Sequence, residues 1–317
     1  MTADRLRRSE LSTPAHSTKM IAKAAGSDAD LVFLDLEDAV APSAKVASRA
    51  NVIAGLNELD WGTKTRACRI NAVSTTWCHD DIIEVVTGAG ANLDVIIVPK
   101  AKSPRDVWFV EDLLTQLEGK LGLPVGRIGL EVLIEETEAL ARVDEIAGSS
   151  PRLEALILGV GDLSASQGIR TGHIGGQASA DATNGEASGT GARYPGDMWH
   201  YARNRMIVAA RSHGLDPIDG PYAAIANPDG YRTEAVWAAT LGAVGKWAIH
   251  PCQIPIANQV YAPTPTEIEQ ARGAVQAVRE AEAAGLGAAQ FQGMMIDAAT
   301  ARIFDAVLDR ARRCGVA

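Results

Sequence analysis

Residues 31–40 read LVFLDLEDAV: an apolar run from Leu31 to Leu36 broken only by Asp35, with Glu37 and Asp38 crowded at its end. Apolar residues at successive rather than alternate positions belong to a strand covered on both faces, as in a parallel sheet. Ionised carboxylates resist burial unless a cation or hydrogen-bond donors meet them. The stretch therefore predicts both a buried parallel strand and a charged partner at its end.

Seven more runs have strand character: SELST (9–13), TRACRIN (65–71), DVIIVPK (94–100), RIGLEVLIE (127–135), EALILGVGD (154–162), LDPIDGP (215–221) and GKWAIHP (245–251). The later ones are continuously apolar. Amphipathic helices are predicted between and after them, over 43–59 behind Pro42–Ser43, over 103–121 opening on Ser-Pro-Arg-Asp, over 229–241 and over 266–284. Eight strands alternating with helices predict an α/β fold, a (β/α)8 TIM barrel with a C-terminal helical extension. A doubly wound open sheet is the alternative, but it is favoured by a Gly-rich dinucleotide fingerprint. GVGDLS (159–164) lacks the third glycine and runs into an acid that would repel a pyrophosphate.

The chain has 317 residues, 47% of them hydrophobic, enough for a large core, and a formal net charge of −9. That balance excludes a broad nucleic-acid surface, which needs a clustered basic face. Cys68, Cys78, Cys252 and Cys314 lack the close spacing of a zinc site or redox dithiol and read as reduced thiols. No apolar run reaches the length of a membrane span, and no apolar signal region follows the charged start MTADRLRRSE. A cytoplasmic protein is expected.

Two segments depart from the rhythm. Residues 164–197 are rich in Gly, Ser, Ala and Thr, including QASADATNGEASGTG. They predict a mobile loop, either a tolerated insertion or a lid beside Asp162. The tail, 286–317, opens on the Gly-rich joint AGLGAAQFQGMM and continues as a helix from about Asp297, whose simplest role is the helix N-cap. The expected division is a barrel over 1–285 and a tail segment over 286–317.

In a parallel barrel the strand C-termini share one mouth, and that mouth hosts the chemistry. The residues expected there are Glu37, Asp38, Arg69, Asn71, Lys100, Glu135, Asp162, Asp219 and His250. Converging carboxylates repel one another. A divalent cation relieves this, and one or two carboxylates plus substrate oxygens is the habit of Mg2+. Each acid taken alone reads equally well as a cap at a strand–helix junction. Arg69 reads either as a partner of Glu37 or Asp38 or as a fork for an oxyanion.

SELSTPAHSTKMIAKAA, DLEDAVAPSAK, CRIN, VPKAKS, EVLIEE, GVGDL, IDGPY and GKWAIHPCQI occur in this order. In this combination the chain resembles the citrate lyase β-subunit-like branch of the HpcH/HpaI aldolase family, most nearly its malyl-CoA and β-methylmalyl-CoA lyases. The resemblance runs from Arg8 to the tail helix. It implies a (β/α)8 barrel holding Mg2+, with Mn2+ as the alternative ion, on Glu135 and Asp162. It implies Arg69 as the substrate-binding arginine and Asp297 as an acid–base residue covering a neighbouring subunit's site. A homotrimer or homohexamer follows. Glu37 and Asp38 would meet the arginine and the metal waters, and His250 is grouped with these ligand-side residues. The family's large apolar residue and basic residue at the first strand's end are replaced here by LSTPAHST, leaving Lys19 and Lys23 to meet coenzyme A phosphates.

The implied reaction is cleavage of a 3-hydroxyacyl-CoA such as malyl-CoA or β-methylmalyl-CoA to glyoxylate and acetyl-CoA or propionyl-CoA. The partners are an acyl-CoA and a glyoxylate-type oxo acid, with neither nucleic acid nor membrane. The alternatives are a malyl-CoA thioesterase and a citrate lyase β subunit acting on a carrier-bound thioester.

Overall fold

The computed structural model describes residues 5–170, 174–175 and 197–317. The strands are β1 (Ser9–Pro14), β2 (Leu31–Asp35), β3 (Thr65–Arg69), β4 (Val95–Val98), β5 (Gly129–Ile134), β6 (Leu153–Leu158), β7 (Asp216–Asp219) and β8 (Gly245–Ala248). They pair in chain order, all parallel, and β8 returns to β1 to close the barrel.

The helices, in chain order, are α1 (Thr18–Ala25), α2 (Lys45–Glu58), α3 (Cys78–Ala89), α4 (Pro104–Leu121), α5 (Thr137–Ala141), α6 (Val143–Ala147), α7 (Val160–Ser166), α8 (His200–Ser212), α9 (Pro228–Leu241), α10 (Ile254–Val260), α11 (Pro265–Ala283) and α12 (Ala298–Arg313). Among the described residues no helix is long and apolar enough to cross a membrane.

The continuous apolar reading of the strands has a direct cause. Leu31 and Phe33 face the barrel interior with Ala67, Ile97, Leu133, Ile157, Ile218 and Trp247, while Val32 and Leu34 face the helices. Both sets are buried, and each large side chain so removed from water stabilises the fold by roughly 1.5–3 kcal/mol. Local signals set the helix starts. Ser103 and Asp106 form a reciprocal capping box behind Pro104, and Thr264 and Glu267 do the same behind Pro265.

The chain divides into two compact units, Met1–Asn258 and Gln259–Ala317. The second holds α11, a hairpin of β9 (Ala288–Phe291) and β10 (Met294–Asp297), and α12. The expected boundary at 286 thus falls inside this unit, because α11 shares a core with the tail: Ala274 and Val278 pack with Ile296, Phe291 and Phe304. The expected Gly-rich joint is this hairpin. Its two-residue turn, Gln292–Gly293, has both φ angles positive (47° and 81°), the twist that matches antiparallel strands. Four-residue strands carry too little alternation to be seen in sequence. Gly273 is needed here, since a Cβ on it would stand 2.7 Å from the Phe291 ring.

One strand ends earlier than expected. The run EALILGVGD is β6 only to Leu158, and Val160–Ser166 forms α7, so Asp162 sits in a helix first turn. Ser164–Ser166, expected in the mobile loop, completes that helix. The run QASADATNGEASGTG (177–191) lies outside the described residues.

Candidate active site

The strand register builds the site. Asp35 and Arg69 end β2 and β3 as directly paired neighbours, both on the inward face. Arg69 lays its fork on Asp35, Nε on Oδ1 at 2.8 Å and a terminal nitrogen on Oδ2 at 2.5 Å. Asp35 also accepts the Glu37 N–H at 2.8 Å. The other terminal nitrogen of Arg69 lies 2.9 Å from Glu37 Oε2, an ion pair off the hydrogen-bonding direction, since that oxygen has no hydrogen-bond partner. Beneath the guanidinium lie the rings of Trp247 and Phe33, centroids 5.4 and 5.9 Å away. The arginine is therefore fixed from the side and from below. Burial works against its charge, but Asp35 and Glu37 outweigh that and hold its pKa above the ordinary arginine value.

Arg69 meets Glu37 as expected, and the structure adds a second DLED acid, Asp35. The main partner of Arg69 is Asp35, and Asp38 is met by Lys100. Asp35 was legible as the third member of the inward set Leu31, Phe33, Asp35, which a period of two picks out. Lys100, following β4, was placed at the mouth without a role. Its ammonium donates to Glu37 Oε1 and to both Asp38 oxygens at 3.0 and 2.9 Å, and stands 3.6 Å from Asp162 Oδ1. Its backbone N–H donates to Glu135 Oε1 at 2.8 Å. Burial of Lys100 disfavours its charge, yet the bonds to Glu37 and Asp38 raise its pKa above the usual lysine range. The same ammonium lowers the Asp38 pKa against the effect of burial.

Glu135, just past β5, is almost fully buried. Burial first, with Asp162 and Glu37 adding repulsion against the pull of Arg69, pushes its pKa up to about 8. A Cβ on Gly159 would stand 2.6 Å from Glu135 Oε2, so a glycine at the start of α7 is what lets the carboxyl lie there. Asp162, one turn on, is more exposed. Both line a cavity of about 380 Å³ together with Asp38, Arg69, Met20 and Trp247. Among the described residues no set of three or more His, Cys, Asp or Glu side chains could hold a metal. Two oxygen donors beside a cavity fit Mg2+, which keeps waters and substrate oxygens as its remaining ligands, and do not fit zinc. A larger cavity of about 650 Å³ opens at the opposite end of the barrel, where Arg8 is already forked onto Asp30.

The other expected residues are placed as follows. Lys19 and Lys23 are exposed on α1, next to Met20 at the cavity wall. His250 is exposed and away from the cavity lining, where its Nδ1 accepts from the Cys252 N–H and caps a turn. Asn71 donates to Asp81, which also holds Arg49. Asp219 is buried between Arg203 and Lys246 at 3.0 and 2.6 Å. Both are structural partners. Asp297, in the second unit, is exposed and caps α12, its Oδ1 accepting from Thr300 N–H at 2.9 Å. That hydrogen bond lowers its pKa, so it is a carboxylate at neutral pH.

A closed parallel barrel whose strand ends bring a braced guanidinium, a lysine and two cavity-facing carboxylates to one mouth is a (β/α)8 barrel with its charged residues where such barrels carry their active sites. More specifically, residues 8–251 match the HpcH/HpaI aldolase/citrate lyase family, and the chain belongs to it. It is 38% identical to an L-malyl-CoA/β-methylmalyl-CoA lyase of Rhodobacter capsulatus, over 98% of this chain and 96% of the relative. It is 32% identical to a (3S)-malyl-CoA thioesterase of Cereibacter sphaeroides, over 92% and 89%. Among solved structures, CitE of Mycobacterium tuberculosis, in complex with magnesium, acetoacetate and coenzyme A, superposes with a TM-score of 0.72. That pair is 26% identical, over 98% of this chain and all of the other.

Proposed function

We propose that this chain is a Mg2+-dependent carbon–carbon lyase of 3-hydroxyacyl-CoA thioesters. It cleaves malyl-CoA to glyoxylate and acetyl-CoA, or β-methylmalyl-CoA to glyoxylate and propionyl-CoA, reversibly. The observation that carries this reading is the convergence of Arg69, Glu135 and Asp162 on one cavity in a chain so similar to a lyase of that substrate class.

Glu135 and Asp162 are the residues that would hold the metal. A bound divalent cation supplies Lewis acidity, acidifying the substrate hydroxyl and orienting the oxo acid. In cleavage the hydroxyl gives its proton to water and the bond between the carbinol carbon and the carbon next to the thioester breaks. Its electron pair passes to the thioester fragment as an enolate. The Arg69 guanidinium has five N–H donors, of which the fork on Asp35 uses two. The rest stabilise charge on the thioester oxygen, a type of contribution worth about 2.7–4 kcal/mol. Because Asp35 and the aromatic pair hold it, Arg69 need not reorganise as charge develops. Asp297, from a neighbouring subunit of a homotrimer or homohexamer, relays a proton from solvent to the enolate carbon. In the condensation direction it removes that proton, which requires the carboxylate form that its capping hydrogen bond favours. Lys19 and Lys23, exposed beside the cavity wall, meet the coenzyme A phosphates.

The test is to incubate the protein with malyl-CoA, with and without Mg2+, trapping glyoxylate with phenylhydrazine while assaying free thiol. Adduct without thiol supports the lyase. Thiol without adduct overturns it in favour of the thioesterase, the second reading that the Cereibacter relative supports. A requirement for a carrier-protein thioester would point instead to a citrate lyase β subunit.

A further inference from the structure

Lys100 reaches four acids of the mouth, Glu37, Asp38, Glu135 and Asp162. Its ammonium meets Glu37 and Asp38 directly and stands 3.6 Å from Asp162, and its N–H holds Glu135. It does so from a left-handed backbone, φ 49°; among the described residues, only one other non-glycine, Gln292 in the hairpin turn, has positive φ. Such a conformation is strained for a residue with a Cβ and persists only where the surroundings impose it. The strain has a geometric product: the N–H points at one Glu135 oxygen while the side chain turns back over Asp38 and Asp162.

We infer that Lys100 is a positioning residue that sets the affinity of the mouth for divalent cations, its ammonium acting as a built-in counter-cation for the same acids. This rests on the reading of Glu135 and Asp162 as the metal-holding pair. The N–H occupies Glu135 Oε1 and leaves the other oxygen for a ligand. The ammonium neutralises Glu37 and Asp38, neither of which is a ligand, and draws on Asp162, which is. A divalent cation entering the site meets the field of this ammonium and takes over its contact with Asp162. Lys100 thereby weakens resting Mg2+ affinity while keeping the acids ordered.

The test is calorimetric titration of the full-length protein and its K100Q, K100G and D162N variants with MgCl2 at low ionic strength, without substrate. K100Q and K100G remove the charge and keep the backbone N–H, and K100G also relieves the left-handed strain. Removing a unit charge a few ångströms from the ion is expected to tighten Mg2+ binding by about tenfold or more in both variants, with the gain shrinking as KCl is added. Structural damage weakens binding, so tightening cannot come from a disturbed fold. Unchanged or weaker binding in both variants, with D162N losing its binding, overturns the role of Lys100 and leaves the metal reading standing. Wild-type protein that binds no Mg2+ at millimolar concentration, or D162N that binds it normally, overturns both.

Discussion

At the scale of single residues, the site depends on charges that are buried and already matched. Asp35 is wholly buried and touches no substrate, yet its loss strands Arg69 inside the barrel. Asp35→Ala is expected to cost about 3 kcal/mol, because it removes the forked partner of a buried charge and leaves only the Glu37 ion pair; urea denaturation reads this. Arg69→Lys keeps the charge but not the fork. It should lower kcat by about a hundredfold or more while calorimetric Mg2+ binding persists, and parallel loss of both would contradict the assignment. Below Trp247 a second cluster governs pH dependence. Glu10 accepts from Trp247 Nε1 at 2.9 Å, and its other oxygen and Glu131 Oε2 are buried without hydrogen-bond partners. Burial first, then Glu131 and Asp216, push the Glu10 pKa well above the carboxylate range, against the pull of Arg7; Glu131, which also faces Glu154, is raised by burial as well. A raised folded-state pKa means that this contribution to stability is whole below the unfolded value and is lost as pH rises through the folded one. Stability should therefore fall with rising pH above the acid range, and Glu10→Gln should flatten the slope by up to about 1.4 kcal/mol per pH unit. Denaturation midpoints across a pH series measure it.

At the scale of elements, the strand-to-helix junctions aim the site. The β6–α7 junction turns at Gly159, where the Glu135 carboxyl lies against the backbone. Gly159→Ala puts a methyl 2.5 Å from Glu135 Cβ. It should abolish Mg2+ binding at a stability cost of about 1–3 kcal/mol, the usual range for overpacking. Normal metal affinity in this variant would separate Glu135 from the cation. The β4–α4 junction does the corresponding work for Lys100, ending in the capping box of Ser103 and Asp106.

At the scale of the whole molecule, one unit carries Glu135 and Asp162 and the other carries Asp297. Asp297→Ala should lose turnover while Mg2+ still binds. If Asp297 serves a neighbouring subunit, two dead variants complement one another. Mixing Asp297→Ala with Asp162→Asn subunits re-forms intact sites from half the barrels and half the tails, roughly a quarter of wild-type activity in a randomly exchanged oligomer. No recovery after subunit exchange, verified by mass spectrometry, would exclude a shared site.

The eight strands, the closed parallel class and the strand-end places of Arg69 and Glu135 were legible in the chain, because strands buried on both faces must be apolar at successive positions and a charge ending such a strand stands out. The α7 turn was not, since GVGD is apolar enough to pass for more strand; nor was the hairpin, whose strands are four residues each. Pairing lay wholly outside the linear pattern. Asp35 opposes Arg69 because β2 and β3 share a register, and Glu10 meets the field of Glu131 across the barrel. Lys100 reaches four acids from a backbone conformation that a lysine does not advertise. Burial and alternation are local properties that each residue records, whereas which charge answers which depends on distances between residues far apart in the chain, and those exist only once the barrel closes.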